Sequence, residues 1–131
     1  MSPIELKYIL KTNLKLVSKL RMQDFFSLTA KGKYWKLKSI KRTLFGYEIK
    51  RLNKYEEGIT QRLKTLGGYF GLSTEYNISN KDVVIDIGAN IGEFSLMCLE
   101  KGAKVLSVEP DENISVCTHK NISSFAFSSI L

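Results

Sequence analysis

The chain has 131 residues, 44% apolar and 25% charged, enough for one ordinary domain. No stretch is long and apolar enough to span a bilayer, and lysines interrupt the apolar positions near the N-terminus, which speaks against a secretory signal. The net charge of +7 divides unevenly: residues 1–64 hold 16 Lys/Arg against 5 Asp/Glu, residues 65–131 hold 4 against 8, so the halves carry +11 and −4.

Ser2-Pro3-Ile4-Glu5 is a helix start, with Ser as cap, Pro at the first helical position and Glu closing a capping box. Leu6, Ile9, Leu10, Val17 and Leu20 then share one face, and Lys7, Lys11, Lys15 and Lys19 form a stripe on another. This basic amphipathic helix reads as a surface helix, with a membrane surface or an acidic partner as the alternative. Met22–Arg42 places Phe25, Phe26, Trp35, Leu37 and Ile40 among six basic residues at 31, 33, 36, 38, 41 and 42. It reads as a helical extension anchored by its aromatics; the interleaving also suits RNA or anionic lipid.

Phe45, Tyr47 and Ile49 alternate with Gly46, Glu48 and Lys50 as in a short half-exposed strand. Asn53 and Glu56 give a second cap signal, after which Tyr55, Ile59, Leu63 and Leu66 line a helical face that Gly67-Gly68 is expected to stop. The following tract, Gly67–Asn80, reads as a loop whose Tyr69, Phe70 and Tyr76 either pack on a sheet or wall a pocket.

Val83–Gly92 (VVIDIGANIG) is the most informative stretch. An apolar strand runs into Asp86 and a small-residue turn that opens the helix Glu93–Lys101. Glycines there let a ligand approach the backbone, and the free N–H groups of the helix favour electron-rich ligand atoms. A second strand, Lys104–Val108, ends in Glu109-Pro110-Asp111, and Glu109 stands where an acid accepts both hydroxyl protons of a ribose in nucleotide-binding folds. The dinucleotide pattern of glycines fails at Asn90 and Glu93, and no Gly-Lys-Ser/Thr of a P-loop is present. The acids Asp86 and Glu93 disfavour a diphosphate and suit a ligand with a cationic group and a ribose, as in S-adenosylmethionine.

The residues VIDIGANIGEFSL at 84–96 and VEP at 108–110 resemble the first two motifs of the FkbM-type family of class I S-adenosylmethionine-dependent methyltransferases. The resemblance covers about Asp82–Ile122, extends weakly over Phe45–Lys81 and is absent before Phe45. It implies that Gly88, Ala89, Asn90 and Gly92 wrap the methionine part of the cofactor, that Asp86 lies beside its amino group, and that Glu109, with Pro110 next to it, binds the ribose. The implied reaction is methyl transfer to an oxygen of a sugar or other small metabolite; catalytic residues are not assignable, and no metal is implied.

After Glu109, Asp111 caps a helix to about Asn121, with Ile114, Val116 and Cys117 as apolar contacts and His119 on the surface. The uncharged tail Ser123–Leu131 reads as a third strand or a non-native end. Cys98 and Cys117 form neither a CxxC pair nor a metal spacing with His119, so buried reduced thiols are expected, with a reactive thiol or a disulfide as the alternatives, in a cytoplasmic protein.

The expected fold is α/β: a partial Rossmann-like, doubly wound parallel sheet of two or three strands (residues 81–131), a strand-helix-loop lead-in (45–80) and a mainly helical basic extension (1–44). A full sheet of this type has further strands forming the second wall of its crevice, so the sequence reads as the N-terminal portion of such an enzyme. Its first strand is then an edge, expected to drive self-association or pairing with a second half. The rival expectation is a non-catalytic interaction module whose basic helices bind a membrane surface, an acidic partner or nucleic acid.

Overall fold

The computed structural model describes residues 3–18, 26–40, 42–72 and 75–128. Expectations for Ser2, Lys19, Leu20, Phe25, Lys41 and the last three residues lie outside these, as do those for the side chains of Glu5, Val17, Phe26 and Phe127. The architecture is mixed α/β, with one three-stranded antiparallel sheet and one two-stranded parallel sheet. The chain divides into two compact units, Met1–Arg62 and Leu63–Leu131.

In the first unit, helix α1 (Pro3–Ser18) precedes a meander of β1 (Phe26–Lys31), β2 (Tyr34–Ser39) and β3 (Thr43–Tyr47). Over residues 26–40 the helical reading of Met22–Arg42 is therefore corrected, and the described part of the N-terminal region is not mainly helical. The reason is a period of two: Trp35, Leu37 and Ser39 are buried while Tyr34, Lys36 and Lys38 face outward. Gly32, at φ +61°, closes the β1–β2 hairpin, where a left-handed backbone is needed. The core joins Leu28, Leu37 and Leu44 across the three strands.

In β3 it is Leu44 and Gly46 that point inward, with Phe45 and Tyr47 half-buried on the other face. Gly46 lies opposite Trp35, and a Cβ on it would meet the indole ring at 2.1 Å. The buried indole donates to the Glu48 carbonyl at 3.2 Å and meets Tyr55 edge-on at 5.5 Å. Tyr55 belongs to a 3-10 helix, Ile49–Tyr55, so Asn53 does not open the next helix; α2 (Ile59–Tyr69) begins after Gly58 and runs through Gly67 and Gly68.

Helix α1 turns Tyr8, Ile9 and Thr12 toward the protein, and the Tyr8 hydroxyl donates to the Leu52 carbonyl. Leu6, Leu10 and Leu14 are exposed, so the expected apolar face is only partly used. Lys11 and Lys15 approach Glu56 and Glu57 at 3.6–3.9 Å, solvent-exposed pairs that contribute little.

The second unit contains β4 (Val83–Ile87), α3 (Glu93–Glu100), β5 (Lys104–Val108) and α4 (Glu112–Ser128). The two strands pair in parallel, Ile85 opposite Leu106 and Ile87 opposite Val108, and α3 is the crossover packed against both. Leu96, Met97 and Cys98 of α3 supply its core. The strands half-bury Val84, Asp86, Val105 and Ser107, whereas Val83, Ile85, Ile87, Leu106 and Val108 are exposed on the opposite face, Ile87 at 81%. Among the described residues β4 and β5 pair only with each other.

Asp111 caps α4 as expected, its Oδ1 accepting from Asn113 and Ile114 N–H at 2.9 and 3.1 Å. The helix runs on through residues 123–128, which corrects the third-strand reading; Ser124 Oγ donates back to the Asn121 carbonyl at 2.9 Å. Cys117, Thr118 and Asn121 form its buried side, Ile114 is half-buried, and Val116 is exposed. His119 is exposed, as expected, with Ser123 3.4 Å away.

Candidate functional site

The site is built where β4 and β5 end. Gly88 and Ala89 both donate to the Val108 carbonyl, at 2.8 and 3.0 Å, which folds the turn back across the tip of β5. Three of its residues have a positive φ: Gly88 (+74°), Asn90 (+52°) and Gly92 (+83°). At Gly88 a Cβ would meet nothing within 4 Å, so the backbone is open to approach. At Gly92 it would lie 3.2 Å from Thr118 Cγ2, so this glycine seats the turn on α4.

Glu109 closes the arrangement. Its Oε2 accepts from the Asn90 N–H at 2.8 Å and its Oε1 from the Asp111 N–H at 3.0 Å. One carboxylate thus joins the turn after β4 to the turn after β5, each oxygen fixed by one backbone donor. A carboxylate has about four acceptor positions, so lone pairs remain for further donors.

Asp86 is placed differently. It is half-buried on the helix-covered face, where its Oδ2 accepts from Ser95 Oγ at 2.6 Å; Ser95 Oγ in turn lies 2.6 Å from Ser107 Oγ. Asp86 thereby ties β4 to α3 and β5. Ala89 is buried inside the turn, and Pro110 is exposed beside Glu109.

Sequence reasoning missed the supports beneath the turn. The Thr118 hydroxyl donates to the Asn90 carbonyl, and the wholly buried Asn121 donates through Nδ2 to the Ile91 carbonyl at 2.7 Å. Thr118 and Asn121 are three residues apart in α4 and share a face, the one available signal. Asn90 Oδ1 is buried without a hydrogen-bond partner, an acceptor that ordinarily finds one. Phe70 packs edge-on against Phe94 at 4.8 Å, whereas Tyr69 and Tyr76 are exposed.

The charges within this site are acidic: Asp86, the buried Glu93, Glu109 and Asp111 stand on the turn and strand ends, with no Lys or Arg among Ile87–Ser95 or Ser107–Ser115. A diphosphate finds no cationic side chain here, whereas a ligand with a positive group and vicinal hydroxyls finds acceptors. Burial, reinforced by the Asp86 charge, pushes the Cys98 thiol up to about 11, and burial also raises that of Cys117, so both are neutral thiols near pH 7. Among the described residues no group of His, Cys, Asp and Glu could hold a metal ion, and no helix is long and apolar enough to cross a membrane.

No family model, curated protein or solved structure matches the chain.

Proposed function

We propose that the Leu63–Leu131 unit binds S-adenosylmethionine and serves methyl transfer of the FkbM-like kind, to an oxygen of a sugar or other small metabolite. The observation that carries this reading is the Glu109 carboxylate held between the Asn90 and Asp111 backbone N–H groups, beside a turn whose backbone is open at Gly88. The residues fit the cofactor's chemistry: an oriented acid with spare lone pairs for ribose hydroxyls, an unpartnered Asn90 Oδ1 for a donor, and negative charge for a cation.

S-adenosylmethionine, when bound, supplies a methyl group activated by a sulfonium. Glu109 is the residue that would hold the ribose hydroxyls, and Gly88–Gly92 the methionine part. Asp86 has Oδ2 engaged by Ser95, so in this reading it positions strand and helix and adds negative charge. Thr118 and Asn121 keep the turn in shape and so lower the ordering cost of binding.

Isothermal titration of the whole chain with S-adenosylmethionine, S-adenosylhomocysteine and NAD tests the proposal. Binding of the two sulfur ligands and not NAD is the expected result; a folded chain that binds neither removes it. A second reading, a non-catalytic interaction module, is favoured by the exposed Leu6, Leu10 and Leu14 beside Lys7 and Lys11 on α1. It gains if anionic vesicles bind the chain and the cofactor does not.

A further inference from the structure

The outward face of the β1–β2–β3 sheet has a composition unlike the rest of the molecule. Period-two alternation puts Ser27, Thr29 and Lys31 of β1, Tyr34, Lys36 and Lys38 of β2, and Thr43, Phe45 and Tyr47 of β3 on it. These nine positions are three hydroxyls, three lysines and three aromatics, without one acid. The β1 and β2 residues are exposed, and the β3 residues are half-buried.

The register places them as a mixed array. Tyr34 lies opposite Tyr47, with ring centroids 5.1 Å apart and planes tilted by 57°. Lys36 lies opposite Phe45 and holds its Nζ 5.5 Å from that ring's centroid; Lys33, in the hairpin, holds its Nζ 5.9 Å from Tyr47. The nearest acid in the chain, Glu48, is occupied by Lys50 at 3.2 Å and Arg51 at 2.9 Å, which lower its pKa further. Among the described residues no acid forms an ion pair with the lysines of the face, so their charges add to one positive field.

We infer that this sheet face binds single-stranded nucleic acid, bases stacking on Tyr34, Phe45 and Tyr47 while phosphates meet Lys33, Lys36 and Lys38. Aromatic rings accept any base through its π face, and lysines beside them meet the backbone of the same strand. A duplex hides its base faces and offers only phosphates, so the aromatics select for the unpaired strand. The +11 charge of residues 1–64 supplies the long-range attraction. This inference stands apart from the cofactor proposal, because its residues all lie in the first unit.

The test is fluorescence anisotropy of the whole chain with labelled oligouridine and oligothymidine, and a duplex of equal length, over a salt series. The single strands are expected to bind more tightly than the duplex. Lys36→Ala with Lys38→Ala should weaken them about tenfold and reduce the log–log salt slope by about 0.7 per lysine. Tyr34→Leu, which keeps apolar bulk but removes the stacking face, should weaken binding about fivefold with the slope unchanged. Lys7→Ala with Lys11→Ala on α1 should leave affinity within about twofold, and far-ultraviolet circular dichroism checks that each variant is folded. Failure of the single strands to bind, equal affinity for the duplex, or indifference to Tyr34→Leu would overturn the inference. Phosphatidylserine vesicles bound in a Lys36- and Lys38-dependent way, with oligonucleotides unbound, would also overturn it and make the face a membrane contact.

Discussion

Glu109 Oε2 accepts the backbone N–H of Asn90 at 2.8 Å, a bond between residues nineteen apart that joins the turns after the two parallel strands. Because Asn90 has a positive φ, the turn is held in a conformation that favours glycine or asparagine, and the carboxylate is one of its restraints. Glu109→Ala removes the acceptor for two backbone donors. It should cost the second unit about 1–3 kcal/mol in urea unfolding and lower S-adenosylmethionine affinity by at least about tenfold. Unchanged calorimetric affinity in the folded variant would take Glu109 out of the site.

Asn121→Ala leaves the Ile91 carbonyl without its buried donor. A loss of about 1–3 kcal/mol is expected, read as a lower urea midpoint at constant slope. Asn121→Leu, which keeps the branching at Cγ but is larger and has no N–H to donate, should not recover it.

Gly46→Ala drives a methyl into the Trp35 indole. The expected cost is about 1–3 kcal/mol or more, the range for overpacking a fitted core. Adding Trp35→Leu to Gly46→Ala makes room, so the double variant should be less destabilised than the sum of the two singles.

How much of this was legible in the sequence depends on where the deciding contacts lie. In 83–108 local pattern and tertiary structure agree: VVIDI and KVLSV are strands within the limits read from sequence, and the acid at 109 reaches the turn. In 26–47 the lysines that suggested a solvated helix are the outward half of a sheet, and Gly46, which reads as a weak strand residue, is fixed by an indole eleven positions earlier in sequence. The 3-10 helix ends on Tyr55, buried against Trp35, and α2 continues through two glycines of which Gly67 is buried and Gly68 exposed. No local signal announces either. Asn121 looked like the end of a helix and is instead its most buried polar contact with the site.

Cys98 titrates at about 11 in the folded chain against an ordinary 9.0. A raised folded pKa means that its contribution to stability is complete below about pH 9 and is lost as pH rises through about 11. The thermal midpoint should therefore fall more steeply between these values in the native protein than in Cys98→Ala. Iodoacetamide should label neither cysteine appreciably at pH 7 until denaturant is added.

Ile85→Thr with Ile87→Thr alters side chains that are mostly exposed. Stability should stay within about 0.5 kcal/mol per site, since β-branching is kept and little packing is lost. Light scattering should show less self-association than in the parent chain, because an apolar face beside strand edges that pair with no other described strand favours it.

Trp35 is the chain's single tryptophan and lies wholly within the first unit, against Gly46 and Tyr55. Its emission therefore reports on the meander, and the Leu63–Leu131 unit has no tryptophan of its own. The sequence thus carries its own optical label for one half of the molecule. Comparing that signal with circular dichroism along a single denaturation curve measures whether the two halves unfold as one cooperative body or in succession.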